Sequence, residues 1–168
     1  MTSQLVLVVD DSAQNLLVAS RHLEAAGYRV LTASSGEHAL ELLATNHPDL
    51  IILDVLMPGM GGFETCRRIR ATPRIASMPI MFLTALGDRD ATAPALDAGG
   101  DDLLPKPFTR AELLLRVRAL IRQHRRFAER QQIVLDALAR LRAISADAGD
   151  DVARRLDVEL ARVEASLG

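Results

Sequence analysis

Leu50-Ile-Ile-Leu-Asp-Val-Leu-Met-Pro-Gly59 decides the reading of this chain. Large aliphatic residues follow one another with no polar alternation, the pattern of a strand buried on both faces of a parallel sheet. The run stops on a carboxylate, Asp54, and the Pro58-Gly59 pair marks a tight turn that keeps this group at the exposed end of the strand. Two more runs share the pattern: Leu5-Val-Leu-Val-Val9, closed by Asp10-Asp11, and Ile80-Met-Phe-Leu83, closed by Thr84. Between them lie segments of helical period, with Leu16, Leu17, Ser20, Leu23 and Glu24 closed by Gly27, and Ala39, Leu40, Leu42 and Leu43 ended before Pro48. Weaker strand patterns over 28–33 and 101–104 complete five strands alternating with five helices. Right-handed crossovers then build an α/β fold, a doubly wound five-stranded parallel sheet with helices on both faces.

Composition fits one such domain and excludes several functions. The 168 residues are 49% hydrophobic and 25% charged, which suffices for a core with limited room beyond it. Aromatics at 3% and no Trp argue against a stacking platform for single-stranded nucleic acid. A single cysteine, Cys66, excludes an internal disulfide framework or a Cys-rich zinc site and fits a reducing cytoplasm. No apolar run spans a bilayer, and Met1 to Val9 lacks the parts of a signal peptide, so a cytoplasmic protein without membrane attachment is expected.

Charge divides the chain. Residues 1–108 hold 8 basic and 13 acidic side chains, net −5, whereas residues 109–168 hold 12 and 9, net +3. The tail also changes period: Leu113, Val117, Leu120, His124, Phe127, Gln131, Val134, Leu138, Leu141 and Ser145 step by four and three without a slip. This heptad seam predicts a long helix suited to a coiled-coil homodimer, with His124 and Gln131 setting register; a helix folded back on its own domain gives the same pattern. An Ala148-Gly149-Asp150 turn precedes a second short amphipathic helix bearing Val152, Leu156, Leu160, Val163 and Leu167.

In open parallel sheets, ligands bind beyond the carboxyl ends of the strands. There the chain places Asp10, Asp11, Asp54, Thr84 and Lys106, the last being its only lysine. Singly, Asp10-Asp11 reads as a helix cap, Thr84 as a satisfied strand-end hydroxyl and Lys106 as a surface charge. Jointly, three clustered acids repel one another unless a cation sits among them, and Mg2+ suits carboxylate oxygens. Asp10 and Asp11 would hold it, with Asp54 adding one oxygen and keeping the other free to attack phosphorus. Thr84 and Lys106 would then neutralise the oxygens of a transferred phosphoryl group.

These residues resemble the receiver domains of two-component response regulators over about residues 3–125. Val8-Val-Asp-Asp11, Ile52-Leu-Asp54 with Met57-Pro-Gly-Met60, Phe82-Leu-Thr-Ala85 and Ala98-Gly-Gly-Asp-Asp-Leu-Leu-Pro-Lys-Pro-Phe108 carry the likeness, in family order. The resemblance implies a flavodoxin-like strand order of 2-1-3-4-5, with Asp54 as phosphoacceptor, Asp10 and Asp11 with Asp54 as Mg2+ ligands, Thr84 as switch hydroxyl and Lys106 as phosphate counter-ion. It further implies a cis peptide before Pro107 and, as partner, a sensor histidine kinase or phosphotransfer protein. This chain departs from the family pattern at Leu103, where an aromatic switch residue is usual, at Gly61, where Asp is common, and at Pro94, which should kink the fourth helix. Leu56 and Leu86, two residues beyond the acceptor and the switch threonine, cannot orient an attacking water, so slow self-dephosphorylation is expected.

The resulting reading is a receiver over 1–125 with a helical extension over 126–168. It is a phosphorylation-controlled switch and not an enzyme acting on a separate substrate, although it takes part in phosphoryl transfer to its own Asp54. Its output would run through coiled-coil dimerisation, a partner protein or an effector domain not legible here. The alternatives are a phosphorelay intermediate using His124 and a DNA-binding regulator using Arg116, Arg118, Arg122, Arg125, Arg126 and Arg130. Arg122-Gln-His-Arg-Arg126 lacks a kinase phosphohistidine motif, and no helix-turn-helix pattern supports DNA binding. A weaker alternative is an aspartyl-phosphate phosphatase of the haloacid dehalogenase type, which needs a second acid where Leu56 stands.

Overall fold

The computed structural model describes residues 4–85, 92–147, 158, 161 and 162. Five strands and five helices alternate: β1 (Leu5–Val9), α1 (Ala13–Glu24), β2 (Arg29–Ala33), α2 (Gly36–Thr45), β3 (Leu50–Asp54), α3 (Gly62–Arg70), β4 (Ile80–Ala85), α4 (Thr92–Asp97), β5 (Asp102–Lys106) and α5 (Arg110–Asp147). All strand pairs are parallel, in the order β2-β1-β3-β4-β5. The flavodoxin-like order expected from the resemblance is therefore the observed one.

Successive side chains of a strand point to opposite faces, and both faces here are covered. Leu7, Val9, Ile51, Leu53, Ile80 and Phe82 pack with residues of α2, α3 and α4. Val6, Val8, Leu50, Ile52, Met81 and Leu83 pack with Ala19 and Leu23 of α1 and with Leu113, Val117, Leu120 and Ile121 of α5. This two-sided burial is why the central strands read as unbroken apolar runs. The edge strands β2 and β5 are only partly buried, which accounts for their weaker patterns.

Local chemistry sets the helix starts. Ser12 accepts from Asn15 N at the head of α1, and Ser35 accepts from His38 N at the head of α2. Thr109 and Glu112 form a reciprocal capping box at the start of α5: Thr109 N donates to Glu112 Oε2 at 2.8 Å and Glu112 N donates to Thr109 Oγ1 at 3.2 Å. At the other end of the sheet, Arg70 donates to the carbonyls of Ala76, Met78 and Gly99 and pairs with Asp101, joining the end of α3 to the starts of β4 and β5.

Contacts divide the chain into two units, 1–122 and 123–168. In the first, the opening of the heptad seam is spent on the chain's own sheet, since Leu113, Val117 and Leu120 lie in its core. That segment corrects the expectation of a dimer seam running the whole length of the helix. In the second, Leu138 is buried while Phe127 and Leu141 are 66% and 43% exposed. Leu17, placed on the apolar stripe of α1 by its spacing, is half exposed; Ala19 takes the buried position. Pro94 is the third residue of α4, whose approach over 86–91 lies outside the described residues, and the Pro94 carbonyl accepts a regular bond from Ala98 N. Leu86 and the predicted turn and second helix after residue 147 also fall outside the described residues, apart from 158, 161 and 162. No helix among the described residues is long and apolar enough to cross a membrane.

Candidate functional site

The register brings the predicted residues together. Val9 pairs with Leu53, so Asp10 and Asp54 leave adjacent strands at the same level. Asp54 itself pairs with Leu83, and Thr84 with Pro105, which puts Thr84 and Lys106 beside them. Asp10 is fully buried, Asp54 and Thr84 nearly so, and Asp11 is exposed. One carboxylate oxygen from each of Asp10, Asp11 and Asp54 lies within 4.8 Å of the others. A hard divalent cation fits this donor set, since oxygen ligands from two or three carboxylates leave positions for water and phosphate.

The Lys106 ammonium sits between two of the acids, 2.7 Å from Asp10 Oδ2 and 3.0 Å from Asp54 Oδ1. Burial alone would lower its pKa, but the hydrogen bonds to Asp10 and Asp54 and the attraction of their charges together hold it above the ordinary lysine value. Asp54 is also held above its ordinary value. Burial pushes its pKa up, and the bond to Lys106 offsets this only in part. The Thr84 hydroxyl is buried and has no hydrogen-bond partner among the described residues. An unpaired buried hydroxyl is costly, and it is free to donate to an oxyanion arriving at the strand ends.

The backbone around Asp54 is tight. Val55 N donates to Leu83 O, and Gly62 N returns to Val55 O at 3.0 Å, so the loop closes on itself. A Cβ on Gly62 would lie 2.1 Å from the Asp54 carbonyl oxygen, so only glycine lets α3 start against the acceptor's own peptide. Lys106–Pro107 is cis, as the resemblance implied. Leu103, at the position of the usual aromatic switch, is a partly buried residue packed on the α2–α4 face.

Two contributors escaped the sequence reading. Asn15 donates from Nδ2 to both oxygens of Asp10, at 2.9 and 3.1 Å, and Ser12 N donates to Asp10 Oδ1 at 2.9 Å. Asn15 is one helical turn beyond a cap, where Asn is unremarkable in sequence, and only the path of α1 reveals its target. A cavity of about 400 Å³, lined by Gln14, Asn15, Val18, Ala85, Lys106, Pro107 and Phe108, opens beside this edge.

The response regulator receiver domain model matches residues 6–118. Response regulator MprA of Mycobacterium sp. (strain KMS) is 46% identical over 118 residues, 70% of this chain and 50% of that protein. MprA of Mycobacterium leprae (strain TN) is 44% identical over 118 residues, 70% of this chain and 51% of that protein. Among solved structures, a putative response regulator from Chloroflexus aurantiacus matches with a TM-score of 0.70 at 40% identity, covering 71% of this chain and 98% of that one. The chemotaxis protein CheY4 of Vibrio cholerae matches with a TM-score of 0.68 at 34% identity, covering 71% and 99%.

The chain belongs to the response regulator receiver domain family. Its function is accordingly that of a receiver in phosphorylation-controlled two-component signalling; receiver domains take phosphoryl groups from histidine kinases and hold Mg2+ on an acidic cluster of this kind. The chain spans about half the length of the curated relatives it matches.

Proposed function

We propose that this chain is a response regulator receiver that takes a phosphoryl group from the phosphohistidine of a sensor kinase or phosphotransfer protein onto Asp54. The observation that carries the reading is the cluster of three carboxylates with Lys106 between Asp10 and Asp54 and, beside them, the Thr84 hydroxyl, which is unpaired among the described residues. An Asp54 oxygen attacks phosphorus as the P–N bond of phosphohistidine breaks, and the imidazole leaves and takes up a proton. Lys106 and Thr84 meet the phosphoryl oxygens, where the transition-state charge lies. Mg2+ held by Asp10, Asp11 and Asp54 supplies further neutralisation of that charge when bound.

The product is an altered state of the chain and not a released compound, so we class it as a switch and not as an enzyme. We read 1–125 as the receiver and 126–168 as a helical extension, and the whole as cytoplasmic. Output runs through the extension, by association with a second copy, or through a protein partner or effector. Exposed Phe127 and Leu141 at heptad positions favour association. His124 as a relay group and direct DNA contact by the Arg-rich helix draw no comparable support.

The test is phosphorylation of the chain by phosphoramidate in Mg2+, read by intact mass. One phosphoryl group is expected on the wild type, none on Asp54→Asn, and none after chelation of the cation. Equal labelling of Asp54→Asn overturns the assignment of the acceptor.

A further inference from the structure

We propose that Asn15 is a positioning residue for the acid cluster: its carboxamide fixes the Asp10 carboxylate in the orientation in which it offers an oxygen to a divalent cation. The proposal rests on the reading of Asp10 as a cation ligand. Asp10 is fully buried, and a buried carboxylate needs donors on both oxygens. Three groups supply them: Ser12 N on Oδ1, Lys106 Nζ on Oδ2, and Asn15 Nδ2 on both.

These donors are not equivalent. Ser12 N holds one oxygen, which leaves the carboxylate free to turn about its terminal torsion, a broad and soft coordinate. Lys106 is shared with Asp54 and carries a positive charge, so an arriving dication repels it. Asn15 spans both oxygens and sets the carboxylate plane while adding no charge to the cluster. A cationic side chain at this position would neutralise the acids that attract the ion, and an acidic one would add repulsion. The half-buried Asn15 side chain also lines the cavity beside Lys106.

Groups that orient a metal-bound side chain typically cost about 10- to 100-fold in metal affinity when removed. The experiment is calorimetric titration of Mg2+ into the whole chain as wild type, Asn15→Ala, Asn15→Leu and Gln14→Ala. Gln14 is the exposed neighbour on α1 that lines the same cavity, and the structure shows it no bond to Asp10. Both Asn15 variants should keep the wild-type circular dichroism spectrum and lose about 10- to 100-fold in Mg2+ affinity, with Gln14→Ala unchanged. Their phosphoramidate labelling rate should return to that of the wild type at saturating Mg2+, which a merely distorted site would not do. Unchanged Mg2+ affinity in both variants overturns the positioning role and leaves the receiver reading intact. Labelling that stays slow at saturation also overturns it, and a wild-type chain that takes up no Mg2+ overturns the role and the receiver reading together.

Discussion

Asp54 carries its charge where burial opposes one. Its pKa is raised by that burial, against the partial relief of Lys106, so the folded chain keeps this proton to higher pH than the unfolded chain does. Stability from such a group is fully present below the unfolded midpoint, about 3.9, and is lost as pH rises through the folded midpoint. Asp54→Asn, which never ionises, should therefore melt above the wild type at neutral pH without divalent cations, with the gap closing as pH falls towards the ordinary aspartate range. Equal melting temperatures at neutral pH would mean that Lys106 offsets the whole cost of burial. The same shift sets the pH dependence of labelling, because only the carboxylate attacks phosphorus: the initial rate should rise with pH through a window above the ordinary aspartate midpoint. Leu56 is 66% exposed two residues after the acceptor and offers no polar atom to an attacking water. Hydrolysis of the aspartyl phosphate should be slow, and Leu56→Glu, by supplying an acceptor, should speed it by about tenfold or more. A wild-type half-life of seconds would contradict this.

Among the elements, the joint at the end of α3 depends on one side chain. Arg70 serves three carbonyls and Asp101, and Asp101 also accepts from Ile80 N at 2.7 Å. Removing the guanidinium leaves partly buried acceptors without donors, so Arg70→Ala should lower stability by about 2–4 kcal/mol, read as a lower urea midpoint at unchanged slope. A loss under about 0.5 kcal/mol would show that water replaces the guanidinium freely. Elements differed in legibility for a related reason. β1, β3 and β4 are covered on both faces, so burial wrote itself into them as unbroken apolar runs. The edge strands left fainter patterns, and on α1 the stripe that admitted Leu17 was broader than the face the sheet covers.

For the molecule as a whole, the open matter is how the extension reports. Leu113, Val117 and Leu120, the first three of the ten seam positions, pack on the receiver's own sheet, and Leu138 is already buried, which leaves the exposed Phe127 and Leu141 as the seam side chains able to meet a second chain. Sedimentation with Mg2+, with and without beryllofluoride on Asp54, distinguishes the outcomes. A dimer in both states means constitutive association through the extension, and a dimer only with beryllofluoride makes association itself the output. A monomer throughout, matched by Phe127→Glu with Leu141→Glu, would overturn the dimer and point to another partner.

The sequence alone determined the alternation of strands and helices, the identity of the acids at the strand ends and the family likeness. Buried parallel strands must be apolar throughout, and chemistry placed where they end stands out against them. Only the tertiary structure decided what depends on distance between remote segments: that Lys106 reaches both Asp10 and Asp54, that Thr84 has no partner among the described residues, and that Asn15 holds Asp10. A repeat of four and three records that a helix has an apolar face; whether its own sheet or another chain covers that face is decided by packing, and for Leu113 to Leu120 it is the sheet.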